Sequence, residues 1–170
     1  MNKVILSLAA FFVFILVSCA QAASGTAILK GTEANSPIDG KVTFQETAEG
    51  LKVHAELRNA PPGKHGFHIH ENGDCGDGGK AAGGHYNPEG APHGLLLKDG
   101  VGHAHAGDLG NIDIAADGTG KLDELIPGLT LKDGKYNILG RSVILHEKED
   151  DFGQPTGNAG GRIGCGVIVE

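Results

Sequence analysis

Gly66-Phe67-His68-Ile69-His70-Glu71 alternates polar and apolar residues with a period of two. That period reads as a β-strand, in which residues i and i+2 project from one face. His68 and His70 can therefore reach a single ion without distorting the backbone. The chain then supplies further ligand types: His85, His93, His103, His105, Asp108 and His146. A lone His-x-His is a weak signal. Followed by this series in a small, acidic chain, it points to a metal centre on a β scaffold.

Reading outward, Pro61-Pro62-Gly63 separates the histidine strand from Leu51–Arg58, which alternates strictly. Leu51, Val53, Ala55 and Leu57 share the buried face, so His54 falls on the solvent side. Thr26–Lys30 and Lys41–Glu46 read as earlier strands, with a turn at Asp39-Gly40. Residues 72–107 are dense in Gly, Asn, Asp and Pro and show no period. An irregular connection that long is expected to be functional, and this one carries most of the histidines. Strands resume at Leu109–Ile114 and Lys121–Ile126 around an Asp117-Gly118 hairpin turn. After a looping stretch from Pro127 to Asn137 come Gly140–His146, a second long loop from Glu147 to Gly161, and a closing strand, Arg162–Val169. About eight short strands without a helical period predict an all-β fold, an antiparallel sandwich or barrel with two long loops on one side.

The start of the chain is set apart from this pattern. Lys3 leads an apolar run from Val4 to Val17, followed by small residues through Ala22. The run is too short to span a bilayer, and with its flanks it reads as a secretory signal over residues 1–22, cleaved after Ala22. Leu16-Val17-Ser18-Cys19 also resembles a bacterial lipoprotein signature, with Cys19 lipidated. The soluble form is preferred, because the first strand begins almost at once and leaves little tether. Residues 23–170 are then one domain, exported to a periplasmic or extracellular space, lipid-anchored at the envelope only in the second reading. The formal charge of −7 argues against binding nucleic acid or an anionic membrane through general electrostatics. In an oxidising compartment the two remaining cysteines, Cys75 and Cys165, most simply form one disulfide.

Neutral imidazole suits copper and zinc, and a hard carboxylate suits zinc. His105-x-x-Asp108 can reach one ion at a turn. With His85 and His93 it makes a closed N3O set fit for a structural zinc. His68, His70 and His146 come from strands or strand ends and would leave a position open for a redox metal. One histidine, having two ring nitrogens, could bridge the two ions. His103 competes with His105 for the zinc position.

Five motifs, Gly66–Glu71, Gly84-His-Tyr-Asn-Pro88, His105-Ala-Gly-Asp-Leu-Gly-Asn111, Gly140–Glu147 and Gly157–Val167, follow one another in the order of copper/zinc superoxide dismutase. The resemblance, to an exported bacterial type, covers essentially all of residues 23–170. It implies an eight-stranded Greek-key β-barrel with one copper ion and one zinc ion per subunit. It places copper on His68, His70, His85 and His146, and zinc on His85, His93, His105 and Asp108, with His85 bridging. It puts the family's disulfide at Cys75 and Cys165 and its substrate-guiding arginine at Arg162. Asp150 matches a carboxylate that hydrogen-bonds one histidine on each metal, here His68 and His93. The family's His-x-Gly-Asp spacing favours His105 over His103, and His65 matches a histidine that is no ligand.

The implied reaction is dismutation of superoxide to oxygen and hydrogen peroxide, with Arg162 binding the anion and His85 carrying a proton. The alternative is a non-catalytic exported carrier or buffer of copper and zinc. Such domains typically lose a copper ligand or the arginine, and here both are kept. The second loop is shorter than in many animal relatives and lacks their extra guiding charges, which leaves Lys80, Lys98 and Lys148 as candidates for steering. Asp74–Gly79 faintly resembles a calcium loop, but a tight turn is the simpler reading, and Gly157–Gly161 reads as an edge turn. Ile28, Leu139, Gly140, Val167 and Val169 fall where the family builds its dimer patch, so a homodimer is expected.

Overall fold

In the computed structural model the described residues are 22–170, so the expected leader, with its alternative at Cys19, lies outside them but for its last residue. Eight strands form one closed barrel: β1 (Ser24–Gly31), β2 (Asp39–Thr47), β3 (Gly50–Arg58), β4 (Gly63–His70), β5 (Asp108–Ile114), β6 (Gly120–Ile126), β7 (Ser142–His146) and β8 (Arg162–Val169). Their spatial order is β1-β2-β3-β6-β5-β4-β7-β8, closed by pairing of β8 with β1, and every pairing is antiparallel. The chain crosses the barrel twice, from β3 to β4 and from β6 to β7, which is Greek-key connectivity. Closure gives each described strand a neighbour on both sides, although β5 and β6 pair only at Ile114 and Gly120.

Alternation explains the strands. In β3 Leu51, Val53, Ala55 and Leu57 are buried while their neighbours turn outward. Corresponding residues of the other strands, among them Leu29, Phe44, Phe67, Ile112 and Leu145, fill the interior. Each such side chain contributes roughly 1.5–3 kcal/mol on burial. In β4 the interior takes Phe67 and Ile69, which leaves His68 and His70 on the outer face, under the two long loops.

Three details differ from the sequence reading. Asp39-Gly40 is not a turn; it opens β2, because Asp39 pairs with Lys30 on one side and Arg58 on the other. The turn lies earlier, where Ser36 N–H reaches Glu33 O. Strand β4 begins at Gly63 rather than Gly66, held by pairing of Gly63, Lys64 and His65 with β5. The first loop also holds a 3-10 turn, Lys80–Ala82, and a one-turn helix α1, Leu96–Asp99, both too short to show a period. Among the described residues no helix is long and apolar enough to cross a membrane.

Both loops are laced back onto the barrel. Ile69 N–H donates to Gly107 O, Tyr86 N–H to Ile69 O and Gly107 N–H to Tyr86 O. A Cβ on Gly107 would overlap Ile69 O, so only glycine permits this approach. The second loop is pinned by the Asn111 amide on β5, which donates to Asp150 O at 2.9 Å and accepts from Asp150 N–H at 2.8 Å. Cys75 and Cys165 are disulfide-bonded, which ties the first loop to β8 across 90 residues of sequence.

Candidate metal centre

His68 and His70 project outward from β4, His146 ends β7, and His85 enters from the first loop through an isolated bridge to His70. All four are buried, and each offers one ring nitrogen within 4.8 Å of the others. The second nitrogen of each ring fixes which atom is offered. His70 Nδ1–H donates to Gly83 O at 3.0 Å, and His146 Nδ1 faces Gly160 O at 3.5 Å. Their Nε2 atoms face each other at 3.2 Å. His68 Nε2 is taken by Asp150 Oδ2 at 2.8 Å, and His68 Nδ1 is buried with no partner. Burial lowers the pKa of His70 to about 2, of His146 to about 3 and of His85 to about 4. These three rings are therefore uncharged at neutral pH, and their nitrogens converge without cationic repulsion. The pocket therefore fits a cation, and its four imidazoles suit copper.

The second group is His85, His93, His105 and Asp108, again buried and within 4.8 Å. Asp108 Oδ1 lies 2.8 Å from His85 Nδ1 and 3.1 Å from His105 Nδ1, and those two nitrogens are 3.4 Å apart. Asp108 Oδ2 accepts from the N–H of Gly94 at 2.9 Å and of His105 at 3.1 Å. Burial alone would raise the Asp108 pKa, yet the bonds from His105, His85 and Gly94 hold it far below the carboxylate range. His93 donates Nε2–H to Asp150. Its Nδ1 sits 2.9 Å from Asp108 Oδ2 but makes no hydrogen bond there. That position suits a cation, either the ring's own proton or a metal ion. Three imidazoles and one carboxylate, fully enclosed, match the donor set of a structural zinc. Burial works against charge on His93, but Asp108 and Asp150 outweigh it and raise its pKa to about 9.

His85 belongs to both groups: Nδ1 faces Asp108, which leaves Nε2 for the four-histidine side. Asp150 joins His68 and His93 and so spans the two groups from behind. The depression over His70, His85 and His146, about 190 Å³, is walled by Thr156, Asn158 and Arg162. Arg162 donates to Gly79 O and Lys80 O through Nη1 and to Gly83 O through Nη2. Gly83 O thus holds Arg162 and His70 together.

The remaining candidates fall outside this cluster. His105 is buried at Asp108, whereas His103 is exposed. His65 is inside β4, with ring nitrogens 2.9 Å from His146 O and from Pro61 O. His54 pairs with Asp123 at 2.6 Å on the outer wall. Asp74 caps a tight turn by accepting from Gly76 N–H. Lys80 shares a depression with Arg162, Lys148 lies against Gly160, and Lys98 lies on α1. Asn111 escaped the sequence reading, because an asparagine in an alternating strand gives no sign that it braces a distant loop.

A family model described as copper/zinc superoxide dismutase matches residues 38–168. The extracellular Cu-Zn superoxide dismutase of Caenorhabditis elegans is 43% identical over 136 residues, which cover 76% of this chain and 60% of that relative. The extracellular enzyme of Drosophila melanogaster is 45% identical, over 79% of this chain and 77% of its own. A putative Cu-Zn superoxide dismutase of Autographa californica nuclear polyhedrosis virus is 40% identical over 91% of its length. The solved structure of the clock protein EA4 superposes with a TM-score of 0.76 at 35% identity, over 91% of this chain and 99% of that one. The three superoxide dismutases are animal and viral, not bacterial.

Proposed function

This chain belongs to the copper/zinc superoxide dismutase family, and from that premise we propose that it dismutes superoxide at a copper held by His68, His70, His85 and His146, beside a zinc held by His85, His93, His105 and Asp108. The observation that carries the assignment is the convergence of buried imidazoles and one carboxylate into two adjacent groups that share His85, with His68 Nδ1 and His93 Nδ1 buried and without a hydrogen-bond partner. Copper held there would supply one-electron transfer in both directions, and zinc a fixed positive charge.

The chain's own residues do the rest. Arg162, positioned by three backbone carbonyls, docks the anion in the depression. His85 Nε2 takes up a proton and returns it to reduced substrate. Asp150 fixes the rings of His68 and His93. Two superoxide ions and two protons leave as one oxygen and one hydrogen peroxide. The test compares the copper- and zinc-reconstituted protein with His146→Ala. Copper-dependent dismutation that collapses in the variant supports the reading. Stoichiometric binding of both metals without dismutation would instead favour the carrier or buffer.

Residues 1–22 direct export and 23–170 form the enzyme domain, a reading the names of the extracellular relatives support. The mass of the mature N-terminus separates a soluble product from one lipidated at Cys19. The protein acts as a homodimer through the outer face of β1 and β8, where Ile28 is 54% and Val169 52% exposed. Light scattering at micromolar concentration tests this, and a monomer mass would refute it.

A further inference from the structure

The main-chain N–H and C=O of His93 pair with no strand or turn partner among the described residues. Both are satisfied by a single side chain. Gln154 Oε1 accepts from His93 N–H at 3.0 Å, and Gln154 Nε2 donates to His93 O at 2.8 Å. A side-chain amide here does the work of a β-bridge. His93 is buried, so without Gln154 both groups would lose a partner in a place where water compensates poorly.

Gln154 belongs to the second loop, and so does the wall of the copper depression. Thr156, Asn158, Ala159 and Gly160 line it, and Gly157 lies so close to Asp150 and His93 that a Cβ there would overlap both. The loop's internal bonds run from Asp151 N–H to Gly157 O at 2.9 Å and from Gly157 N–H to Gly153 O at 2.6 Å. One end of this fold grips a zinc-side histidine, and the other forms the mouth of the copper side.

We infer that Gln154 is a positioning residue that couples occupancy of the zinc site to the order of the loop walling the copper mouth. It acts through the backbone of His93, in parallel with the Asp150 contact to the ring. The inference rests on the assignment of His93 as a zinc ligand. Fixing the His93 ring on an ion fixes its main chain, which then holds Gln154 and with it residues 151–158.

The experiment uses the disulfide-bonded protein with zinc alone, without copper. Zinc affinity is measured by competition with a chelator. Amide exchange is followed with and without the ion. In the parent chain, zinc is expected to slow exchange at Asp151 and Gly157. In Gln154→Ala zinc affinity should fall by about tenfold, and the slowing at Asp151 and Gly157 should vanish while that at His105 and Asp108 persists. Gln154→Glu keeps the acceptor for His93 N–H and loses the donor to His93 O, so it should fall between the two. It also decides the matter if the alanine variant does not fold, a condition read from the amides of β3. Equal affinity and equal slowing in both variants and the parent would overturn the role of Gln154. A parent chain that binds no zinc would overturn the zinc-site assignment beneath it.

Discussion

At the scale of single residues, the metal centre is built from groups kept out of their solution protonation states. His70, His85 and His146 titrate below the ordinary imidazole value, to about 2, 4 and 3, because burial disfavours their charge. In the metal-free protein the unfolded chain therefore binds protons below about pH 6.5 that the folded chain refuses. Stability must fall as the pH drops from that value toward 4, by about 1.4 kcal/mol per pH unit for each such group in its window. His93 has the opposite sign. Raised to about 9, its contribution is complete below about 6.5 and is lost as the pH climbs toward 9. His70, His85 and His146 act on the acid limb, where Asp108 and Asp150, held below the carboxylate range, extend the loss below about pH 4, and His93 acts on the alkaline limb, so the stability of the metal-free protein should peak near neutrality and decline more steeply in acid. Denaturant unfolding of that form across pH checks this; a symmetric or rising acid limb would contradict it. The ligand types were legible in the sequence because His-x-His on a strand and His-x-x-Asp at a turn have geometric meaning. Gln154 and Asn111 were not, since each acts by bonding to backbone far away in sequence, and spacing carries no record of that.

At the scale of elements, the strands were legible where one face is apolar and the other polar. The start of β4 was not, because Gly63 and Lys64 are both exposed and show no alternation. Nor was α1, whose single turn buries only Leu96. The disulfide belongs to this scale, because it joins the first loop to β8 rather than serving one residue. That loop presents the Gly79, Lys80 and Gly83 carbonyls to Arg162, itself at the start of β8. Replacing both Cys75 and Cys165 by serine should cost about 4–5 kcal/mol in the chain-entropy model for a closure of this length. It should also raise KM for superoxide more than it lowers kcat, because the loop that orients Arg162 is released while His68, His70 and His146 keep their strands. Unfolding and steady-state kinetics of the double variant test both halves. A lower kcat at unchanged KM would place the effect on the metals instead.

At the scale of the molecule, an acidic protein must attract an anion. The formal charge of −7 opposes encounter from a distance, so the attraction has to be local. Near the copper mouth Arg162 and Lys80 share a depression with Glu33, Asp77 and Glu147, which sets two cations against three carboxylates. Arg162 nevertheless dominates where it matters, because it also lines the depression over His70, His85 and His146, which the carboxylates do not. Screening acts over about 8 Å at physiological ionic strength, so only charges near the mouth guide the anion. The second-order rate should therefore fall as salt rises, and modestly, since the rim carboxylates offset part of the field. Lys80→Gln should lower that rate at low salt and Asp77→Asn should raise it. Both differences should shrink together as salt is added, because screening acts equally on either sign. Pulse radiolysis across ionic strength reads all three effects. A rate indifferent to salt, with both variants unchanged, would mean that Arg162 captures superoxide by contact alone and that the rim plays no part in guiding it.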